Sequence, residues 1–149
     1  MLDLIDNIVI VEKKLGEKES RKLQIKTLKN LIKKAHKNNI KDEELIMKIK
    51  KLSNDLRLIS EGRKDLRKSY NKNFQSLKEE VKKNYGYVPK GTYIGIYLSI
   101  GVALGSGIGV VFTSINPALI SIGIGLGISI GVAIGSSKEK EAEKDGKLY

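Results

Sequence analysis

The sequence predicts an all-α protein: an N-terminal helical bundle or coiled coil followed by a two-helix transmembrane hairpin. Three observations predict it. Before residue 85 the apolar residues recur every three or four positions, the spacing of a helix face. From Gly91 to Ser137 there are 47 consecutive residues without a charge, and a membrane-spanning helix needs about 20 apolar ones, so the stretch holds two spans and a turn. Within it glycines fall every four residues. The mean hydropathy of −0.23 averages two regimes: up to Lys90 the 149-residue chain carries 24 Lys and Arg against 13 Asp and Glu, whereas the tail from Lys138 carries four of each.

Leu4, Ile8, Val11 and Leu15 define a first helix that Gly16 interrupts. After a polar stretch, Ile25, Leu28, Ile32 and Ala35 define a second, ending near Asn38 and Asn39, residues suited to a helix end. The third begins with Asp42, Glu43 and Glu44, whose charge offsets the helix dipole, and carries the heptad-like series Leu45, Ile49, Leu52, Leu56 and Ile59. Leu66, Tyr70, Phe74, Leu77 and Val81 continue it less regularly. Gly62 and Arg63 interrupt the seam, which predicts a kink or short break, because glycine costs about 1 kcal/mol in a helix interior. The acidic start and short apolar run of the first residues do not resemble a cleavable signal.

Residues 86–91 form a hinge, since Pro89 cannot continue a helix. The first span is expected from Thr92 to Thr113, about 33 Å at 1.5 Å per residue. Ser114, Ile115, Asn116 and Pro117 make the turn, with Asn116 as helix cap and Pro117 at the first helical position. The second span covers Ala118 to Ser136, and the charges from Lys138 onward end it. The expected organisation is therefore a basic helical domain over 1–85, the hinge, the hairpin over 92–136 and a charged tail over 137–149. Two crossings put both ends on one side, and the Lys and Arg excess selects the cytoplasmic side of the cell membrane. Lys78, Lys82, Lys83 and Lys90, with Tyr85, Tyr87, Tyr93 and Tyr97, are the candidates for lipid headgroup contact.

Gly123, Gly127, Gly131 and Gly135 line one stripe of the second span, and Gly101, Gly105 and Gly109 one stripe of the first. Ser121, Gly125, Ser129 and Ala133, and likewise Ser99, Ala103 and Gly107, form a second stripe on the opposite side of each helix. In lipid, helices gain little from hydrophobic burial, so close backbone approach at small residues drives their association. One face can close the hairpin, leaving another for a neighbouring copy. Small and large residues also alternate strictly from Ser121 to Gly135, as in a strand. A barrel strand would need a polar lumen face, however, and an open sheet would leave backbone groups unsatisfied in lipid.

The spacing from Gly91 to Tyr149 resembles the glycine-zipper two-helix membrane proteins, which implies packed helices and oligomers but no activity. The part before it resembles no family. Without cysteine, and with His36 as the single histidine, metal or thiol chemistry has no basis. No cofactor or small-molecule substrate is expected, and the carboxylate groups at 42–44 and 79–80 read as helix ion pairs. The Gly105-to-Gly109 and Gly123-to-Gly127 runs lack the strand and exposed helix start that a phosphate loop needs. The chain is thus expected to be a non-enzymatic, self-associating membrane protein, with lipid and its own copies as partners. Two alternatives remain: a pore-forming or holin-like effector wetted by Ser99, Ser106, Ser121 and Ser129, and a membrane-tethered nucleic-acid binder, for which recognition motifs are lacking.

Overall fold

A computed structural model describes residues 2–111 and 116–149 of the chain. The expected end of the first span at Thr113, and Ser114 and Ile115 of the turn, lie outside the described residues. Everything regular among the described residues is helical, so the strand alternative for 121–135 is set aside. The chain divides into two compact units, one of residues Met1–Pro89 with Tyr149, the other of Lys90–Leu148.

In the first unit, α1 spans Leu2–Lys22 but is broken at Gly16, whose φ of 73° and ψ of 169° lie outside helical space and are hard for a side chain to adopt. The stretch after Gly16 is itself helical. Its apolar pattern is blank because Glu, Lys and Arg propagate a helix without burying a face; Lys22–Glu19 at 3.2 Å is one of the ion pairs along it. Gln24, at a φ of 51°, separates α1 from α2, Ile25–Lys37. Helix α2 ends where Asn39 takes a φ of 48° and the Ile40 N–H reaches back to the Ala35 carbonyl at 3.0 Å, a left-handed cap that satisfies the last carbonyls.

Asp42 caps α3, Glu43–Ser60, by accepting from the Leu45 N–H at 3.1 Å. The break expected at Gly62 is present. Gly62 has a φ of 110°, and the Arg63 N–H donates to the Leu58 carbonyl at 3.0 Å, so the glycine provides the same kind of left-handed stop. A 3₁₀ turn, Lys64–Leu66, leads into α4, Arg67–Tyr85, which Gly86 terminates. Helix α1 packs on α2 and α3, and α3 on α4. The periodic residues form one core: Ile8, Val11, Ile25, Leu28, Ile32, Leu45, Ile49, Leu52, Leu56, Ile59, Tyr70, Phe74, Leu77 and Val81 are all buried. Tyr70 also donates its hydroxyl to the Leu23 carbonyl at 3.0 Å, satisfying the one polar atom that this large side chain takes inside.

The second unit is a helix pair. Helix α5 covers Thr92–Val111 and α6 covers Leu119–Lys144. Before α6, the Asn116 side chain accepts from the Ala118 N–H at 2.9 Å, so Asn116 organises the entry turn while the helix itself starts at Leu119. Helix α6 runs on past the expected end of the span at Ser136, through the charged residues as far as Lys144.

Candidate functional site: a glycine-lined helix pair

A helix of Gly, Ile, Leu and Val presents few groups for chemistry, so the pair's distinctive property is how closely its backbones approach. Gly101, Gly105 and Gly109 on α5 are buried, as are Gly127, Gly131 and Gly135 on α6, while Gly123 is half-buried. A Cβ built on Gly101 would overlap the Gly127 carbonyl, and one on Gly105 the Gly123 carbonyl. One on Gly131 would overlap the Tyr97 carbonyl. At Gly109 it would lie 2.7 Å from Ile120 Cα and at Gly135 2.7 Å from Ile94 Cα. These partners rise in number on one helix as they fall on the other, so the helices are antiparallel and in register along the whole stripe. Side chains are absent because the space belongs to the other backbone.

The second stripe is arranged differently. Ser99, Ala103, Gly107, Ser121, Gly125, Ser129 and Ala133 are all exposed. A Cβ on Gly107 or Gly125 would meet nothing within 4 Å among the described residues. Ser99 and Ser129 donate to the carbonyls of Gly95 and Gly125, each at 2.9 Å, and Ser106 donates to Ala103 at 3.0 Å. Their hydroxyls are thus satisfied within their own helices.

The large side chains between the stripes point outward. Ile100, Leu104 and Ile108 on α5 and Ile122, Leu126 and Ile130 on α6 are exposed. Only 17% of the most apolar window of either helix is buried, unlike the core helix of a water-soluble domain, which hides its apolar surface. Both helices are long and apolar enough to cross a membrane.

At the open end of the pair stands a residue that the sequence reading assigned to the tail. Glu139 is buried although charged, and its carboxylate accepts from the backbone N–H of Gly91 and, at 3.2 Å, from that of Tyr93. It caps the start of α5 from the neighbouring helix, where free N–H groups and the positive end of the helix dipole favour an anion. One turn further on, Glu143 pairs with Lys90 at 3.2 Å. The signal was present in the spacing: 123, 127, 131 and 135 continue at 139 and 143. Carboxylates thus extend the glycine stripe beyond the change in composition at Lys138.

The eight candidate headgroup residues divide between the two units. Tyr85 and Tyr87 stack with ring centroids 6.0 Å apart against the core of the first unit. Tyr85 donates to Asp42 at 2.7 Å; Tyr87 receives the Asn38 amide at 2.6 Å and carries the Lys34 ammonium 4.9 Å above its ring. Lys78 lies over the Phe74 ring and donates to Gln24, and burial pulls its ammonium below the ordinary lysine range. Lys82 and Lys83 are exposed on α4. Lys90, Tyr93 and Tyr97 belong to the second unit, with both tyrosines half-buried.

No curated protein and no solved structure matches the chain, and the helical part before residue 89 has no family match. Residues 89–140, which hold the zipper, the α5 start and Glu139, match the family model of the glycine zipper membrane proteins, so over this part of the chain the helix pair is similar to that family.

Proposed function

We propose that the protein is a self-associating, non-enzymatic module of the cell membrane, in which the zipper pair spans the bilayer with both ends cytoplasmic and copies assemble through the outward small-residue stripes. The observation that carries this reading is the open space at Gly107 and Gly125, opposite a first stripe already filled by the partner helix. Residues two apart on a helix lie about 200° apart around its axis. The α5 stripe therefore faces away from α6, and the α6 stripe away from α5. Each copy offers two distinct faces on opposite sides, the arrangement that builds a ring or an array by head-to-tail contacts. The orientation rests on the lysines nearest the first span, Lys78, Lys82, Lys83 and Lys90, because the positive-inside tendency acts mainly through basic residues close to the span ends. Self-bonded serine hydroxyls favour dry packing over a water-filled lumen, which sets this reading ahead of a pore.

Crosslinking of the full chain in detergent and in lipid vesicles tests it. Multimers are expected for the wild type, and monomers with intact helicity for Gly107→Leu combined with Gly125→Leu. A wild-type chain that stays monomeric in lipid contradicts the proposal, as does a double variant that multimerises unchanged. Gly127→Leu serves as the contrast, because it attacks the contact within each copy.

A further inference from the structure

Helix α2 is the most one-sided element of the first unit. Ile25, Leu28, Leu31, Ile32 and Ala35 are each at most 1% exposed, while the rest of the helix carries Lys26, Lys29, Lys33, Lys34, His36 and Lys37 and no acid. Lys29 is paired with Glu12 at 2.7 Å, and Lys34 is held over Tyr87. Lys26, Lys33 and Lys37 are exposed and have no carboxylate within ion-pair distance among the described residues. At 100° per residue these three fall within an arc of roughly 40°. The other long helices of the unit differ: Lys48 on α3 bridges Glu44 and Glu80, each at 2.7 Å, and α1 holds Glu12, Glu17 and Glu19 among its lysines.

We propose that the Lys26, Lys33 and Lys37 face of α2 docks on an anionic lipid leaflet. The proposal rests on the membrane reading above. The first unit ends at Pro89 and α5 begins at Thr92, a connection of at most about 10 Å when fully extended. The unit is therefore held next to the bilayer surface, within reach of a field that decays over about 8 Å at physiological salt. A row of ammonium groups without counter-charges fits a surface of negatively charged headgroups, with each lysine raising partitioning roughly fivefold. Nucleic acid offers a similar charge, but the tether supplies lipid continuously and at high effective concentration.

The absence of native cysteine makes the test direct. The full chain carries an environment-sensitive dye at Asn30→Cys, beside the lysine row, or at Ile128→Cys in α6. Each is reconstituted in phosphatidylcholine vesicles with or without phosphatidylserine and containing spin-labelled lipid as quencher. The dye at 128 should be quenched in both lipids. Quenching at 30 should require phosphatidylserine, disappear at about 1 M salt, survive replacement of the three lysines by arginine, and fall on the order of a hundredfold in docked population with Lys26→Gln, Lys33→Gln and Lys37→Gln together. Unchanged far-ultraviolet circular dichroism of the triple variant shows that it folds. Quenching at 128 with no lipid-charge dependence at 30 overturns this proposal alone, and so does displacement of the docked face by added RNA at physiological salt. Absence of quenching at 128 overturns the membrane reading, and this proposal with it.

Discussion

At the residue scale, Gly127 and Gly125 are two positions apart and do opposite things. A methyl group at Gly127 would run into the Gly101 backbone and lie 3.1 Å from Gly105 Cα; backbone cannot turn aside as a flexible side chain can. Overpacking of this kind costs about 1–3 kcal/mol, against about 1 kcal/mol gained in helix propensity on going from Gly to Ala. At Gly125 only the gain applies within one copy. Gly127→Ala is therefore expected to loosen the helix pair, and Gly125→Ala to leave it as stable or more so. Unfolding in mixed micelles with rising dodecyl sulfate, followed by circular dichroism, checks the pair; an equal response of both variants would contradict the geometry. Glu139 belongs to the same stripe and replaces close approach with two accepted hydrogen bonds, which is why a charged residue can be buried there.

At the scale of elements, the caps determine where the helices of the first unit stop and start, and one of them has a pH signature. Asp42 accepts from the Tyr85 hydroxyl and the Leu45 N–H, which together hold its carboxyl below the ordinary value of 3.8. The same bond, with Asp42 as acceptor, pushes the Tyr85 phenol from 10.0 up to about 12. A depressed carboxyl contributes stability that is present above pH 3.8 and lost as pH falls through the folded value. A raised phenol contributes stability that is complete below pH 10 and lost as pH rises towards about 12. Thermal unfolding of the full chain should thus weaken at both extremes. Asp42→Asn should flatten the acid limb, and Tyr85→Phe should remove part of the alkaline one. Unaltered limbs in both variants would show that this bond does not link α4 to the start of α3. Helix α6 illustrates the opposite case, in which an element outlasts the composition change expected to end it, because its charged turns still have α5 to bind.

At the scale of the whole molecule, the chain passes from the first unit to the second at Lys90 and returns with Tyr149. Tyr149 is buried in the core cluster of the first unit, and its N–H donates to the Val88 carbonyl at 3.1 Å. Burial raises its phenol above the ordinary tyrosine range, and the hydroxyl has no hydrogen-bond partner among the described residues. Truncating a buried aromatic costs about 3–5 kcal/mol, whereas removing an unsatisfied buried hydroxyl relieves a cost of about 1–3 kcal/mol. Tyr149→Ala should lower the melting temperature of the first unit, and Tyr149→Phe should match or exceed the wild type. A large loss in the phenylalanine variant would reveal a role for the hydroxyl.

Features that repeat within one element are legible from the residues alone. The apolar residues of α2, α3 and α4, the break at Gly62, the two apolar helices and both small-residue stripes follow from a period near 3.6, and periodicity is local information. Which of two equivalent stripes closes the pair depends on packing, because each helix is compatible with either until the other supplies backbone at a given register. The continuation of α6 through Lys138 depends in the same way on the N–H groups of Gly91 and Tyr93 at the start of α5, which lie nearly fifty residues earlier in the chain. Tyr85 and Tyr87 carried a composition suited to a membrane boundary, yet Asp42, Asn38 and Lys34 engage them. A side chain's partner across the fold is a question of distance in space, which spacing along the chain does not encode.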